Sequence, residues 1–125
     1  MHILENDQLR VSISDHGAEL SGIFDKKNNR EVLWNADPAY WKRHAPVLFP
    51  NVGRLYNDIS LINGKTYPSG QHGFARDMDF ICTEETETSV THLLEATDAT
   101  KKSWPYNFQL YITHTLNDRN LTVSW

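Results

Sequence analysis

The sequence predicts an all-β protein of mostly antiparallel strands, arranged as a sandwich or barrel. Three observations carry that prediction. Apolar and polar residues alternate with a period of two in several stretches, from Leu9-Arg10-Val11-Ser12-Ile13 to Leu121-Thr122-Val123. Turn-forming residues recur between them at short intervals, as in Asp15-His16-Gly17, Asn63-Gly64 and Asn117-Asp118. No amphipathic helix longer than two turns, internal repeat or low-complexity segment interrupts the pattern.

Residues 8–14 place Leu9, Val11 and Ile13 on one face and Arg10, Ser12 and Ser14 on the other, the period of a half-buried strand. A turn at 15–18 follows, and Leu20, Ile23 and Phe24 resume the apolar pattern. Residues 25–30 form a polar hairpin tip, after which Glu31-Val32-Leu33-Trp34 returns as a strand. Asp37 and Pro38 suit the cap and first position of one helical turn over 37–42. The segment 43–56 holds too many prolines and glycines for regular structure.

Ile59, Leu61 and Ile62 begin a hairpin that turns at Asn63-Gly64, the strongest short hairpin signal in the chain, and closes at Tyr67-Pro68. Residues 69–73 are a loop, since glycines at 70 and 73 would weaken a helix or central strand. Residues 80–83 read as a strand, 84–89 as an acidic turn, 90–96 as a strand and 99–104 as a linker. Phe108, Leu110, Ile112 and His114 then share one face of a strand. A tight turn at 117–120 leads into a last alternating run that reaches Trp125.

The chain has 125 residues, one domain's worth, with 39% hydrophobic and 11% aromatic residues and a net charge of −4. That charge and the lack of a basic face argue against a nucleic-acid partner. Cys82 is the single cysteine, so no internal disulfide can form, which favours the cytoplasm. The first residues have neither the basic nor the apolar region of a signal peptide, and no apolar run has the roughly 18–20 residues of a membrane span. A soluble cytoplasmic protein is expected.

Candidate chemistry concentrates in 44–80. His44, Asn51, Arg54, His72 and Arg76 are interleaved with Pro46, Pro50, Gly53, Gly70 and Gly73, and aromatic residues lie beside them. Such a stretch is expected to shape half of a small-molecule pocket, better suited to an uncharged polar ligand such as a sugar than to a phosphate backbone. His72 sits between a glutamine and a glycine, where an imidazole can bond a hydroxyl or exchange a proton. An ordinary loop histidine bonded to a carbonyl fits the same spacing. Arg54 can hold two oxygens in one plane, and a surface salt bridge fits equally well. The six histidines and one cysteine show no close metal-ligand spacing, so neither a metal nor a cofactor is expected. Glu84, Glu85 and Glu87 read as a solvated turn. Trp34, Tyr40, Trp41, Trp104 and Tyr106 suit core or rim packing, with some placed to stack on a sugar ring.

Trp34-Asn35-Ala36-Asp37-Pro38-Ala39-Tyr40-Trp41, His44-Ala45-Pro46-Val47-Leu48-Phe49-Pro50, Gly53-Arg54-Leu55 and His72-Gly73-Phe74-Ala75-Arg76 together resemble the aldose 1-epimerase (galactose mutarotase) family, in its LacX-like branch. Tyr106-Asn107-Phe108 followed by two alternating strands matches that family's order. The resemblance covers essentially the whole chain. It implies a galactose-mutarotase-like β-supersandwich that binds aldohexoses and interconverts their α and β anomers by acid–base ring opening, with no cofactor. It assigns His72 to sugar binding and to stabilising charge near the ring oxygen, and Arg54 to the sugar hydroxyls. Asn51 and Arg76 join them as substrate-binding candidates.

The family's second histidine, its substrate-binding aspartate and its glutamate base lie further along a chain more than twice this length. Residues 1–125 are therefore expected to be a single domain forming the N-terminal portion of that sandwich. Its exposed sheet edges would invite self-association. A non-catalytic carbohydrate-binding or regulatory β-sandwich and an inactive truncated fragment are the alternatives.

Overall fold

A computed structural model describes residues 1–125. Strands β1 (His2–Glu5), β2 (Leu9–Ile13), β3 (Leu20–Asp25) and β4 (Arg30–Glu31) form one antiparallel sheet in that order. Strands β5 (Ile59–Ile62) and β6 (Lys65–Pro68) make a separate hairpin. Strands β7 (Ile81–Glu85), β8 (Ser89–Glu95), β9 (Gln109–Asn117) and β10 (Asn120–Ser124) form a second antiparallel sheet, with β7 and β10 at its edges. One short helix, α1 (Asp98–Lys101), lies between β8 and β9.

Period-two patterning decides what each sheet buries. Leu9, Val11 and Ile13 of β2 are buried, as are Val90, His92 and Leu94 of β8 and Leu110, Ile112, His114 and Leu116 of β9. Leu4, Leu9, Val11 and Ile13 meet Val90 and Leu116 in one apolar cluster, which holds the two sheets face to face. A second cluster gathers Ala18, Val47, Ala75 and Phe80 over Leu94, Leu110 and Ile112. Phe49, Phe74 and Phe108 pack against it with ring centroids 5.0–6.0 Å apart. This cluster sits under the 43–50 and 72–76 segments and seats them on the second sheet.

The structure bears out the mostly antiparallel β-sandwich and corrects several elements. Strand β1 is additional, pairing Ile3 with Ser12 and Leu4 with Val11. The strand expected over 31–34 stops at Glu31, whose Oε1 accepts the amides of Ile23 and Leu33 at 2.6 and 3.1 Å and so diverts them from a longer ladder. The turn expected over 84–89 is shorter, because Glu84 and Glu85 belong to β7 and Thr86 bonds back to Ser89. The linker expected over 99–104 contains α1, nucleated by a reciprocal cap between Thr97 and Thr100. Near Asp37 a single turn forms: Asp37 Oδ1 accepts from Ala39, and its carbonyl accepts from Tyr40 and Trp41.

Candidate functional site

Three tethers build the site. Glu19, just before β3, accepts the amides of His44 and Ala45 at 2.9 and 3.0 Å, which ties the 43–50 segment to the first sheet. The Phe49 carbonyl accepts from Phe74 and Ala75 at 2.9 and 3.2 Å, joining that segment to the loop that carries His72. Gly53 and His72 then bond reciprocally: the His72 amide donates to the Gly53 carbonyl at 2.9 Å, and the Gly53 amide donates to His72 Nδ1 at 2.8 Å. Gly73 completes the arrangement at φ +72°, where an added Cβ would overlap the Phe49 carbonyl and the Pro50 ring.

The bond from Gly53 decides the tautomer of His72. Nδ1 accepts, so in the neutral ring the proton resides on Nε2. That N–H faces an open cleft of about 420 Å³ lined by Trp41, Pro46, Leu48, Gln71, His72 and Arg76, among others, a volume within the usual range for small-ligand sites. Gln71 Nε2 lies 3.4 Å from His72 Nε2, and the amide accepts from the ring when its oxygen is turned inward. Arg76 donates from Nη2 to the Gln71 carbonyl at 2.9 Å, while its buried Nε has no hydrogen-bond partner. Arg43 braces the same corner by reaching Asp77 at 2.7 Å. The cleft therefore brings an imidazole, a guanidinium and a half-exposed indole side by side.

Of the residues singled out from sequence, His72 and Arg76 line this cleft together. Arg54 does not join them. It forms a bidentate pair with Asp58, both bonds 2.7 Å, on the exposed surface, and this pairing raises the arginine's pKa and lowers the carboxyl's. Asn51 is spent internally, donating to the Gly53 carbonyl at 3.2 Å and accepting from Ser69 at 3.1 Å. It faces a second cavity, lined also by Ser69, Gly70 and Trp104, that contains no titratable side chain. Gln71 is the cleft residue that sequence spacing passes over. His44 turns away, donating from Nδ1 to the Trp34 carbonyl at 2.8 Å.

Away from the cleft, side chains far apart in sequence converge. Asp15 Oδ1 lies 2.8 Å from His2 Nε2 and 3.1 Å from His92 Nε2, and His2 Nδ1 lies 2.9 Å from Glu85. Burial pushes the Asp15 carboxyl up, but bonds from His2, the N-terminal ammonium and His92 outweigh it and hold the group at about 2. Burial lowers His92 more than its bond to Asp15 raises it. His2 goes the other way: burial opposes its charge, and its two carboxylate partners prevail.

The aldose 1-epimerase family model matches residues 1–125, the entire sequence. The chain belongs to the aldose 1-epimerase family. Among curated proteins it is 36% identical to protein LacX of Lactococcus lactis subsp. lactis, with 98% of this chain and 42% of LacX covered. Among solved structures it resembles a galactose mutarotase related enzyme from Lactobacillus acidophilus, at 44% identity and a TM-score of 0.94 over 96% of this chain and 40% of that one. A galactose mutarotase-like protein from Lactobacillus casei gives 38% identity and a TM-score of 0.95 over 98% and 42% of the two chains. The chain thus spans about two fifths of the length of these relatives. Within the aldose 1-epimerase family, its strands are those of the galactose-mutarotase-like sandwich.

Proposed function

We propose that this chain supplies one wall of an aldohexose cleft, and that the whole protein interconverts the α and β anomers of the sugar. The observation that carries the reading is His72, held by the Gly53 amide so that its Nε2–H points into a cleft shared with Trp41 and Arg76. In the proposed reaction a base takes the proton of the anomeric hydroxyl and the C1–ring-oxygen bond breaks. The bond pair passes to the ring oxygen, which is protonated, and C1 becomes an aldehyde carbon. Rotation about C1–C2 and the reverse steps close the ring on its other face. A donor fixed at His72 Nε2 stabilises the negative charge growing on the ring oxygen.

Arg76 suits sugar hydroxyls and Trp41 the apolar face of the ring, and Arg54, outside this lining in its exposed pair with Asp58, is assigned to further hydroxyls of the sugar. Asn51 positions the Gly53 turn that orients His72. Residues 1–125 act in this scheme as a single folded portion, in the cytoplasm, and they need no cofactor for proton transfer.

Polarimetry of freshly dissolved α-D-glucose and α-D-galactose tests the proposal on these residues as they occur in the whole protein. His72→Gln is expected to slow anomerisation at least about 100-fold, the scale of one general acid–base or charge-stabilising contact. An unchanged rate would sink the assignment. A second reading rests on the cleft lining, where these residues place no carboxylate to act as base. It makes the protein a non-catalytic carbohydrate-binding module. Calorimetric binding of the same sugars without rate acceleration by the unsubstituted protein would favour it.

A further inference from the structure

We infer that His2, Asp15 and His92 form a binding site for a divalent transition cation of zinc type, separate from the His72 cleft and sharing no residue with it. The two imidazoles and one carboxylate offer ligand atoms that all lie within 4.8 Å of one another. Ligands bonded to a tetrahedral zinc at 2.0–2.1 Å stand roughly 3.4 Å apart. The Asp15 oxygen at 2.8 Å from one ring nitrogen and 3.1 Å from the other already approaches that spacing. The group therefore needs a short side-chain adjustment, with no rebuilding of the backbone. Asp15 can make it, because its side chain is 45% exposed while those of His2 and His92 are 16% and 0% exposed. Two rigid imidazoles and one mobile carboxylate leave a fourth position toward solvent for water.

The surroundings fit a cation. His2 Nδ1 lies 2.9 Å from Glu85 Oε2, the carboxylate–histidine arrangement that orients a ligating ring, and Nε2 turns from its bond with Asp15 to the metal when its proton leaves. His2 and His92 rings meet edge to face at 5.0 Å, which fixes their mutual angle. Asp15 and Glu85 bring two negative charges against the one positive charge of the N-terminal ammonium, 3.2 Å from Asp15 Oδ2. Binding releases the Nε2 protons of the two rings, and with both imidazoles neutral the local excess is negative and complements a dication. The two imidazole donors select zinc-like ions over calcium or magnesium. His92 Nδ1 has no partner, and an unsupported ligand ring weakens binding by about 10–100-fold. Binding well short of the affinity of a zinc finger is expected.

The test is calorimetric titration of the whole protein that carries these residues, with its N-terminus untagged, with Zn²⁺ in a non-chelating buffer, paired with the visible spectrum of the Co²⁺ adduct. One ion per chain is expected, with four-coordinate d–d absorption in the cobalt form. His2→Gln and Asp15→Asn are each expected to weaken Zn²⁺ at least tenfold and to abolish that absorption. His2 lies in an edge strand, so its variant keeps the test valid even where His92→Gln fails to fold. His16→Gln is the control, because His16 neighbours Asp15 in sequence but faces Asp79 at 2.7 Å, and it is expected to bind normally. Absence of saturable zinc binding, binding unchanged in His2→Gln, or loss in His16→Gln in place of His2→Gln would each overturn the proposal.

Discussion

Three glycines of the site separate two physical effects that a substitution usually mixes. Gly73 combines φ +72° with a neighbouring carbonyl in the space a Cβ would take. Gly53 has φ +83° and open space, and Gly70 has open space without a positive φ. Gly73→Ala is therefore expected to cost about 2 kcal/mol or more, Gly53→Ala about 1, and Gly70→Ala close to nothing. Urea unfolding of the three variants checks the order, and equal costs at 73 and 53 would show that the Phe49 contact carries no weight. Arg54 teaches a related lesson. Its bond to Asp58 realises the salt bridge that sequence spacing left open beside sugar binding, and solvent screening leaves an exposed pair of that kind little weight in stability. It is weak enough for a ligand to recruit the guanidinium.

Among the elements, the β5–β6 hairpin stands apart from both four-stranded sheets. Asn63 at φ 49° and Gly64 at φ 77° make the tight turn that the Asn-Gly pair predicts. An isolated two-stranded unit is marginal by itself. This one is moored by the Ser69 amide on the Asp58 carbonyl and by Ser69 on Asn51. Strands β8 and β9, paired over seven residues and buried on one face, are the most firmly held. Hydrogen exchange is expected to separate the two. Amides of β5 and β6 should exchange through local opening at least about 100-fold faster than those of Leu94 and Ile112, which await global unfolding. Similar protection in both would mean that the hairpin unfolds only with the sheets. At the far end, Arg119 in the β9–β10 turn reaches Asp25 at 3.0 Å and holds its carboxyl well below the usual carboxylate range, with Asn28 assisting.

For the molecule as a whole, acid sensitivity follows from a histidine buried between the sheets. Burial first, and then the nearby His92, lower the pKa of His114 from 6.5 to about 4. The folded chain thus refuses a proton that the unfolded chain accepts below pH 6.5. Its stabilising contribution is complete above 6.5 and is lost as the pH falls toward 4. From pH 7 to pH 5 this amounts to a loss of about 2 kcal/mol. Its Nδ1 has no hydrogen-bond partner, so an apolar replacement forfeits no bond there. His114→Leu is expected to flatten the dependence and to raise the urea midpoint at pH 5 above that of the unsubstituted chain. A variant that loses as much stability between pH 7 and pH 5 as its parent would refute the assignment.

The sequence by itself determined the faces. Alternation placed Leu9, Val11 and Ile13, and later Leu110, Ile112 and His114, on the buried side, because the period of two is a local property of the strand. It also marked the Asn63-Gly64 turn and drew attention to His72, since turn chemistry and glycine flanks are equally local. Tertiary structure decided which residues meet. The tautomer of His72 depends on an amide 19 residues away, and Gln71 lines the cleft with its carbonyl bonded to Arg76, five residues on. Asp15 meets His2 across 13 residues and His92 across 77, and no spacing motif records such a pairing. Those meetings are set by how two sheets stack and which turns latch them, a choice made by the burial of the whole chain.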